Sequence, residues 1–270
     1  MSYSNYKGIL MWEGEPHKEV ILSAIDYKPM LYGGKGGFVI RNCYDFDCID
    51  KTEFWHVIKD SFGGMDELSG KMRNQVRRSM RECDFRRMTY REVAEKGYKV
   101  YRASGEGYRI KPTIPSEEAF RQATIDNGDK REYWGVFIKN TDVLIAYASN
   151  IVLEECAQYI LLRADPSYQK QCYPYYGLIY EMNRYYLEEK GLKYVDDGAR
   201  SVTEHSNIQP FLIEKFNFRK AYCHLNVYYN KWLRIAIFVL YPLRKIIHYR
   251  KIQLLLRLEF MARHSKPQKV

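Results

Sequence analysis

The spacing of apolar residues changes period several times along the chain, and each change marks an element. Over 66–83 (DELSGKMRNQVRRSMREC) Met72, Val76, Met80 and Cys83 recur at helical spacing, while Arg73, Arg77 and Arg81 stripe another side. A more polar helix is expected over 90–107, and Ser116 followed by two glutamates opens another that stops at Asn127-Gly128. The period then falls to two. Segments 133–139, 143–153 and 156–163 alternate as the strands of a meander, with a turn at 140–142. After Asp165-Pro166 helical spacing returns in Leu178, Ile179, Met182 and Leu187, and Gly191 occupies the position where a helix end favours positive φ. Residues 192–195 read as a buried strand ending on Asp196 and Asp197, 207–216 as a helix stopped by Asn217, and 221–229 as a last strand.

The first fifty residues read as β-rich, with apolar runs at 20–25 and 38–40. Between them lies Tyr32-Gly-Gly-Lys-Gly-Gly37. The phosphate-loop pattern GxxxxGK[ST] is absent, and a strand follows where such a loop needs a helix, so a plain hairpin turn is expected. These elements imply an α+β protein in three portions. A β-containing part, 1–89, carries the basic helix 66–83; a mixed domain follows over 90–230; a basic amphipathic helical tail occupies 231–270.

Charge sharpens this picture. The formal net charge is +10, with a balance of +9 in 231–270 and +6 in 71–91, leaving a mildly acidic remainder. Two basic elements on such a body point to two separate anionic contacts. In the tail, an apolar run at 235–243 is flanked by Trp232, Arg234, Arg244 and Lys245. It is too short and too charged to span a bilayer. It fits either a helix docked on the core or a second copy of the chain, or an interfacial helix over 231–263 on an anionic membrane surface. The 6 cysteines form no CxxC pair and lie away from histidine clusters in the sequence, so reduced thiols and no metal are expected. The opening residues lack a basic-then-apolar signal pattern, which gives an expectation of a cytoplasmic protein, peripheral on the inner face of the membrane if the tail binds there.

The element order after residue 90 resembles the GNAT-like acyltransferase superfamily, in particular the branch related to the FemAB aminoacyltransferases. The residues that carry the resemblance are Tyr173-Pro-Tyr-Tyr-Gly-Leu-Ile-Tyr-Glu-Met182, Tyr194-Val-Asp-Asp-Gly198, the stretch from Asn207 through Phe211 to Phe218, and the arginine-rich Lys71–Arg78. The resemblance covers about two thirds of the chain. It implies a mixed, mainly antiparallel sheet flanked by helices, and acyl transfer to an amine. It also implies acetyl-CoA or another acyl-CoA as co-substrate, its pyrophosphate at the start of the central helix. There the superfamily carries Gln/Arg-x-x-Gly-x-Gly/Ala. The matching positions here are Gln171, Pro174 and Tyr176, with Gly177 one residue late. Pro174 offers no N–H and Tyr176 adds bulk. The tyrosine that usually protonates the departing thiolate matches Ile213.

Acyl transfer needs a group to take the amine proton, donors for the oxyanion and a held acyl donor. Asp196 and Asp197, at a strand end beside Arg200, are candidates for the base, or else a capped loop end paired to that arginine. Glu181 and His205 are further candidates; Glu181 reads equally as solvent-facing, and His205 reads more readily as a surface-loop histidine. Gln169, Lys170, Gln171, Tyr175, Tyr176 and Gly177 are expected around the donor phosphates, with Arg73 and Arg77 assisting. Three classes fit: an acyl-CoA N-acyltransferase acting on a small amine or glycan precursor of the cell envelope, a FemAB-type transferase using aminoacyl-tRNA, and a non-catalytic binding module on the same fold. A homodimer through the tail is compatible with each.

Overall fold

The structure is a computed structural model, and it describes residues 2–6, 8–32, 37–106, 113–200 and 208–265. In chain order its strands and helices are β1 (Tyr3–Tyr6), β2 (Ile9–Trp12), α1 (Ala24–Tyr32), β3 (Val39–Tyr44), β4 (Trp55–Lys59), α2 (Gly70–Glu82), β5 (Cys83–Met88) and α3 (Tyr90–Glu106). There follow α4 (Glu117–Asn127), β6 (Glu132–Ile138), β7 (Leu144–Val152), β8 (Cys156–Ala164), α5 (Gln169–Cys172), α6 (Pro174–Asn183) and β9 (Tyr194–Ala199). The chain closes with α7 (Ile208–Phe216), β10 (Arg219–Tyr222), β11 (His224–Tyr229), α8 (Lys231–Leu240) and α9 (Arg250–His264). The protein is α+β, as expected. Two compact units divide it: Met1–Val57 with Ala199–His205 and Lys220–Val270, and Ile58–Gly198 with Ser206–Arg219.

The second unit is built on a sheet in the order β10-β4-β9-β8-β7-β6-β5, the unit boundaries falling within β4, β9 and β10. β5, β6, β7 and β8 pair antiparallel, and β8 pairs parallel with β9. The meander expected from the period-two segments is therefore present, and Asn140 takes the positive φ its turn requires. α3 and α4 cover one part of it: Val93, Val100, Phe120, Tyr133, Phe137 and Tyr147 form a buried cluster. Ser116 caps α4 by accepting from the Ala119 amide at 3.2 Å. α2 starts at a Ser69 cap and buries Met72, Val76 and Ser79.

Several boundaries differ from the sequence expectation. The helix expected over 66–83 gives way at Cys83 to β5, whose edge position needs little apolar alternation to form. β4 went unread because its five residues, WHVIK, mix a histidine and a lysine with three apolar residues and show no clean alternation. The expected strand at 20–25 is loop followed by α1, and β2 and β3 run parallel, so 32–37 joins a helix to a strand and is no hairpin connection. Residues 33–36 themselves lie outside the described residues. The single last strand is two, β10 and β11, split at buried Cys223 and belonging to different sheets.

The first unit carries a four-stranded sheet in the order β1-β2-β3-β11. α9 buries Leu258, Met261 and Ala262 against Val39, Phe54, Cys223 and Leu225, so this part of the tail docks on a core. α8 differs: only Ile237 is buried, while Trp232 and Phe238 are each 75% exposed and Val239 59%.

Candidate functional site

The parallel pairing of β8 with β9 is short. It runs Cys156↔Tyr194, Ala157↔Val195 and Gln158↔Asp196, and stops. Beyond it β8 continues to Ala164 and β9 to Ala199 with no pairing between the two among the described residues. Two parallel strands that part in this way leave backbone N–H and C=O groups facing the gap, where an extended ligand can take the place of a strand. Strand ends of this kind are where α/β sheets hold ligands.

The two aspartates stand where the strands part, Asp196 as the last paired residue of β9 and Asp197 as the first beyond it, and are not the strand end that the sequence implied. Asp196 is 1% exposed, and its Oδ1 accepts from the Gly198 amide at 2.8 Å. Gly198 has φ +87, which turns the strand there, and its carbonyl accepts from Gln209 Nε2 at 3.3 Å. Asp197 is half-buried, and its carboxyl is held well above the usual carboxylate range, by desolvation first and then by the charge of Asp196, against a hydrogen bond from Gln209. Two neighbouring carboxyls thus have divided environments. One is fixed as an acceptor, the other is ready to hold a proton. Arg200 does not join them. It pairs with Glu53, 2.5 Å from Oε2 and 2.8 Å from the carbonyl, and lies over Trp55 at 4.3 Å.

The helix behind the gap is broken where one continuous helix was expected. α5 ends at Cys172, Tyr173 takes a left-handed conformation (φ 50, ψ 50), and α6 starts on Pro174. A proline is well placed as the first helical residue, because its missing N–H would be unpaired there. The strained Tyr173 is fixed by α2: Ser79 Oγ donates to its carbonyl at 3.0 Å and the Arg78 guanidinium lies 5.5 Å from its ring centre. Tyr176 is raised in pKa mainly by burial, accepts a hydrogen bond from Gln75, and packs edge-on against Tyr173 and Phe211.

Gly177 has a different reason from the one the sequence implied. A Cβ there would stand 2.2 Å from Phe85 Cζ and 2.6 Å from Ser79 Oγ. The glycine lets α6 lie directly on α2 and β5, and its free face is filled by protein. Arg73 and Arg77 each lie two positions from Gln75, about 160° around the helix from the side that meets Tyr176. Neither has an ion-pair partner among the described residues, yet Arg78 is the arginine at the α5–α6 junction. Only its neighbour Tyr173 could have revealed that, and the contact is a tertiary one. Gln169, Lys170 and Gln171 are exposed on α5, and Tyr175 is half-buried. Glu181 binds Arg184, the first residue of the turn after α6, at 2.9 Å. His205 lies in 201–207, outside the described residues.

The sequence reading missed two further features. The first is a cavity of about 250 Å³ between α3, α4 and the sheet, lined by Tyr101, Phe120, Tyr133, Tyr147, Ser149 and Leu161 among others. Tyr147 is 1% exposed and its hydroxyl has no hydrogen-bond partner among the described residues. Such a group, at the wall of an apolar cavity, is set to meet a polar atom of a ligand. Tyr175, next to the α6 start, is among its electrostatic neighbours. The second is the polar cluster that anchors the other end of α6. A π-helical turn, Arg184–Glu189, follows α6 and buries Tyr186, whose hydroxyl donates to Glu132 Oε1 at 2.6 Å and accepts from Trp134 Nε1 and Asn150 Nδ2, each at 3.1 Å.

No family model matches the sequence, and no curated protein matches it. Among solved structures the chain is similar to FemX, with a TM-score of 0.55 at 10% identity, over 83% of this chain and 78% of that one. It is also similar to the PaiA N-acetyltransferase of Thermoplasma acidophilum, solved with coenzyme A (TM-score 0.33, 18% identity, 41% of this chain and 74% of that one). A third similarity is to an aminoglycoside acetyltransferase from an uncultured soil metagenomic sample (TM-score 0.33, 20% identity, 43% and 76%). The fold is thus similar to that of FemX.

Proposed function

We propose that this chain is an N-acyltransferase that moves an acyl group from an acyl-CoA to an amine on a small molecule or cell-envelope precursor. The observation that carries this reading is the parting of β8 from β9, with a proton-holding carboxyl at the point where they part. The amides of an extended pantetheine-like arm match the strand edges there. Its phosphates would lie toward Arg78 and the exposed Lys170, since Pro174 and the packed Gly177 leave α6 a poor cradle. The acceptor amine would enter through the cavity at Tyr147.

In the reaction the amine nitrogen attacks the thioester carbonyl. Asp197, ionised when its proton has been lost to solvent, takes the amine proton, and the C–S bond breaks. Because Ile213 stands where the superfamily carries its tyrosine acid, the leaving thiolate takes its proton from water. An aminoacyl-tRNA donor is the second reading, supported by the FemX-like fold of this chain.

Calorimetric titration of the purified protein with acetyl-CoA and, separately, with charged tRNA tests the donor. Saturable acetyl-CoA binding, weakened at least about tenfold by Arg78→Glu, supports the first reading. Binding of tRNA alone moves the answer to the second, and binding of neither leaves a non-catalytic module.

We further propose that α8 places the enzyme on an anionic membrane surface. Trp232, Ile235, Phe238 and Val239 are exposed together, and Ile246 (67%) and Tyr249 (61%) extend the apolar surface. Lys231, Arg234, Lys245, Arg250 and Lys251 lie along the same stretch. Aromatic and aliphatic groups flanked by cations are the chemistry of an interfacial helix, each cation adding about 1 kcal/mol near anionic lipid. No helix among the described residues is long and apolar enough to cross a membrane. Flotation with anionic but not neutral vesicles, lost in a Trp232→Ser/Phe238→Ser variant, is expected. A concentration-dependent dimer with no flotation would assign the same face to a second copy of the chain.

A further inference from the structure

We propose that Asp45, Cys48 and His224 bind a single zinc-type transition-metal dication. The sequence carries no recognisable metal spacing, because the three ligands come from a turn and from a strand nearly two hundred residues later. The fold brings one ligand atom from each within 4.8 Å of the others.

The decisive detail is the orientation of His224. Its ring is buried (2% exposed), and Nδ1 meets the carbonyl of Ser265. A carbonyl can only accept, so Nδ1 carries the proton and, in a neutral ring, Nε2 presents its lone pair. That lone pair faces Asp45 Oδ2 at 3.2 Å. Two acceptors at this separation repel unless a second ring proton or a bound cation lies between them. A backbone carbonyl on the far nitrogen is also the arrangement that orients metal-bound histidines.

The rest of the turn is arranged to present the other two ligands. Asp45 and Asp47 both have positive φ (49 and 62), which reverses the chain just after β3. The Cys48 amide donates to the Tyr222 carbonyl at 2.9 Å, which fixes the thiol next to the corner where His224 begins β11. Cys48 Sγ meets the Asp50 carbonyl at 3.5 Å, a weak contact that a metal bond would replace. Carboxylate, thiolate and imidazole at about 2.0–2.3 Å from a common centre would be separated by about 3.6 Å, so closure needs only a small inward movement of the thiol. Binding releases the Cys48 proton to solvent, and the dication then balances one carboxylate and one thiolate. The Asp45 side chain is 61% exposed, which leaves the fourth position to water.

A neighbouring trio, Cys43, His56 and Cys223, has similar spacing. There the Arg41 guanidinium is the charged neighbour of both thiols and repels a dication. The proposed ion would tie the 45–50 turn, the start of β11 and the end of α9 at Ser265 into one knot within the first unit.

Cobalt(II) titration of the chelator-treated full-length protein tests the proposal. One equivalent is expected to bind with tetrahedral ligand-field bands and a thiolate-to-cobalt charge-transfer band, and zinc is expected to displace it. Cys48→Ala should abolish the charge-transfer band, and Asp45→Asn, at an exposed side chain, should weaken binding about 100-fold. Cys43→Ser should leave both unchanged. Absence of the band in the wild-type protein overturns the proposal, as does a band that survives in Cys48→Ala but is lost in Cys43→Ser. Nitrogen NMR that finds His224 doubly protonated at neutral pH in the presence of zinc also overturns it, because a proton then occupies the place assigned to the ion.

Discussion

Replacing Tyr186 by phenylalanine removes one oxygen and exposes how α6 is held. The ring is fully buried and stays, so no large cavity forms. What is lost is the oxygen between Glu132, Trp134 and Asn150. The indole and amide N–H groups each lose a partner in a buried setting, at about 1–3 kcal/mol apiece. The Glu132 carboxylate loses its shortest donor but keeps Arg87 at 3.2 Å and Lys190 at 3.8 Å, which limits its share. Local shifts will recover part of the cost, and the net loss expected is about 2–4 kcal/mol. In urea, with a slope of about 2–3 kcal/mol per molar, the midpoint should fall by about 1 M or more with the slope unchanged. Trp134→Phe alone should cost less than Tyr186→Phe, and the double variant less than the two together, because they share one hydrogen bond. A loss below about 1 kcal/mol, or strict additivity, would show that the cluster does not hold α6 to the sheet.

Three other outcomes follow from the site. The raised pKa of Asp197 means that its protonated form favours the fold: that stability is present in acid and is lost as pH rises through the folded value. Asp197→Asn should therefore hold its stability into alkaline solution, checked by denaturation across pH, while losing about 100-fold or more in kcat; unchanged turnover would remove the residue from the mechanism. Asp196→Asn, by removing a like charge, should move the ascending limb of kcat/KM to lower pH, and an unmoved limb would deny the coupling. Gly177→Ala should destabilise by about 1–3 kcal/mol despite its helix propensity, with recovery in Phe85→Leu/Gly177→Ala and retained acetyl-CoA binding; lost binding at intact stability would restore Gly177 to a phosphate cradle.

The meander, both capped helices and the Gly191 stop were legible because each rests on local periodicity or on a residue with one conformational use. β4 and β5 were not, since a five-residue run and a charged edge strand carry no period of their own. In the site, Asp196 and Asp197 could be singled out as a pair, but not their division of roles. That division depends on the turn at Gly198 and on the desolvation of Asp197 by its surroundings, which the sequence pattern does not show. Arg73 and Arg77 drew notice as an unneutralised stripe, whereas Arg78 takes its position from Tyr173 across 95 residues of chain. The cavity at Tyr147 is invisible in sequence because its lining reads as ordinary core. The tail divided in a way composition could not show: α9 is docked, and α8 is exposed.

The central claim is that the donor lies in the gap between β8 and β9, before the α5–α6 junction. Hydrogen–deuterium exchange with and without saturating acetyl-CoA tests it most directly. Protection is expected over 159–164, 173–177 and 196–199, and little elsewhere. Saturable binding with protection confined to the first unit, or to the outer face of α2 around Arg73 and Arg77, would contradict it.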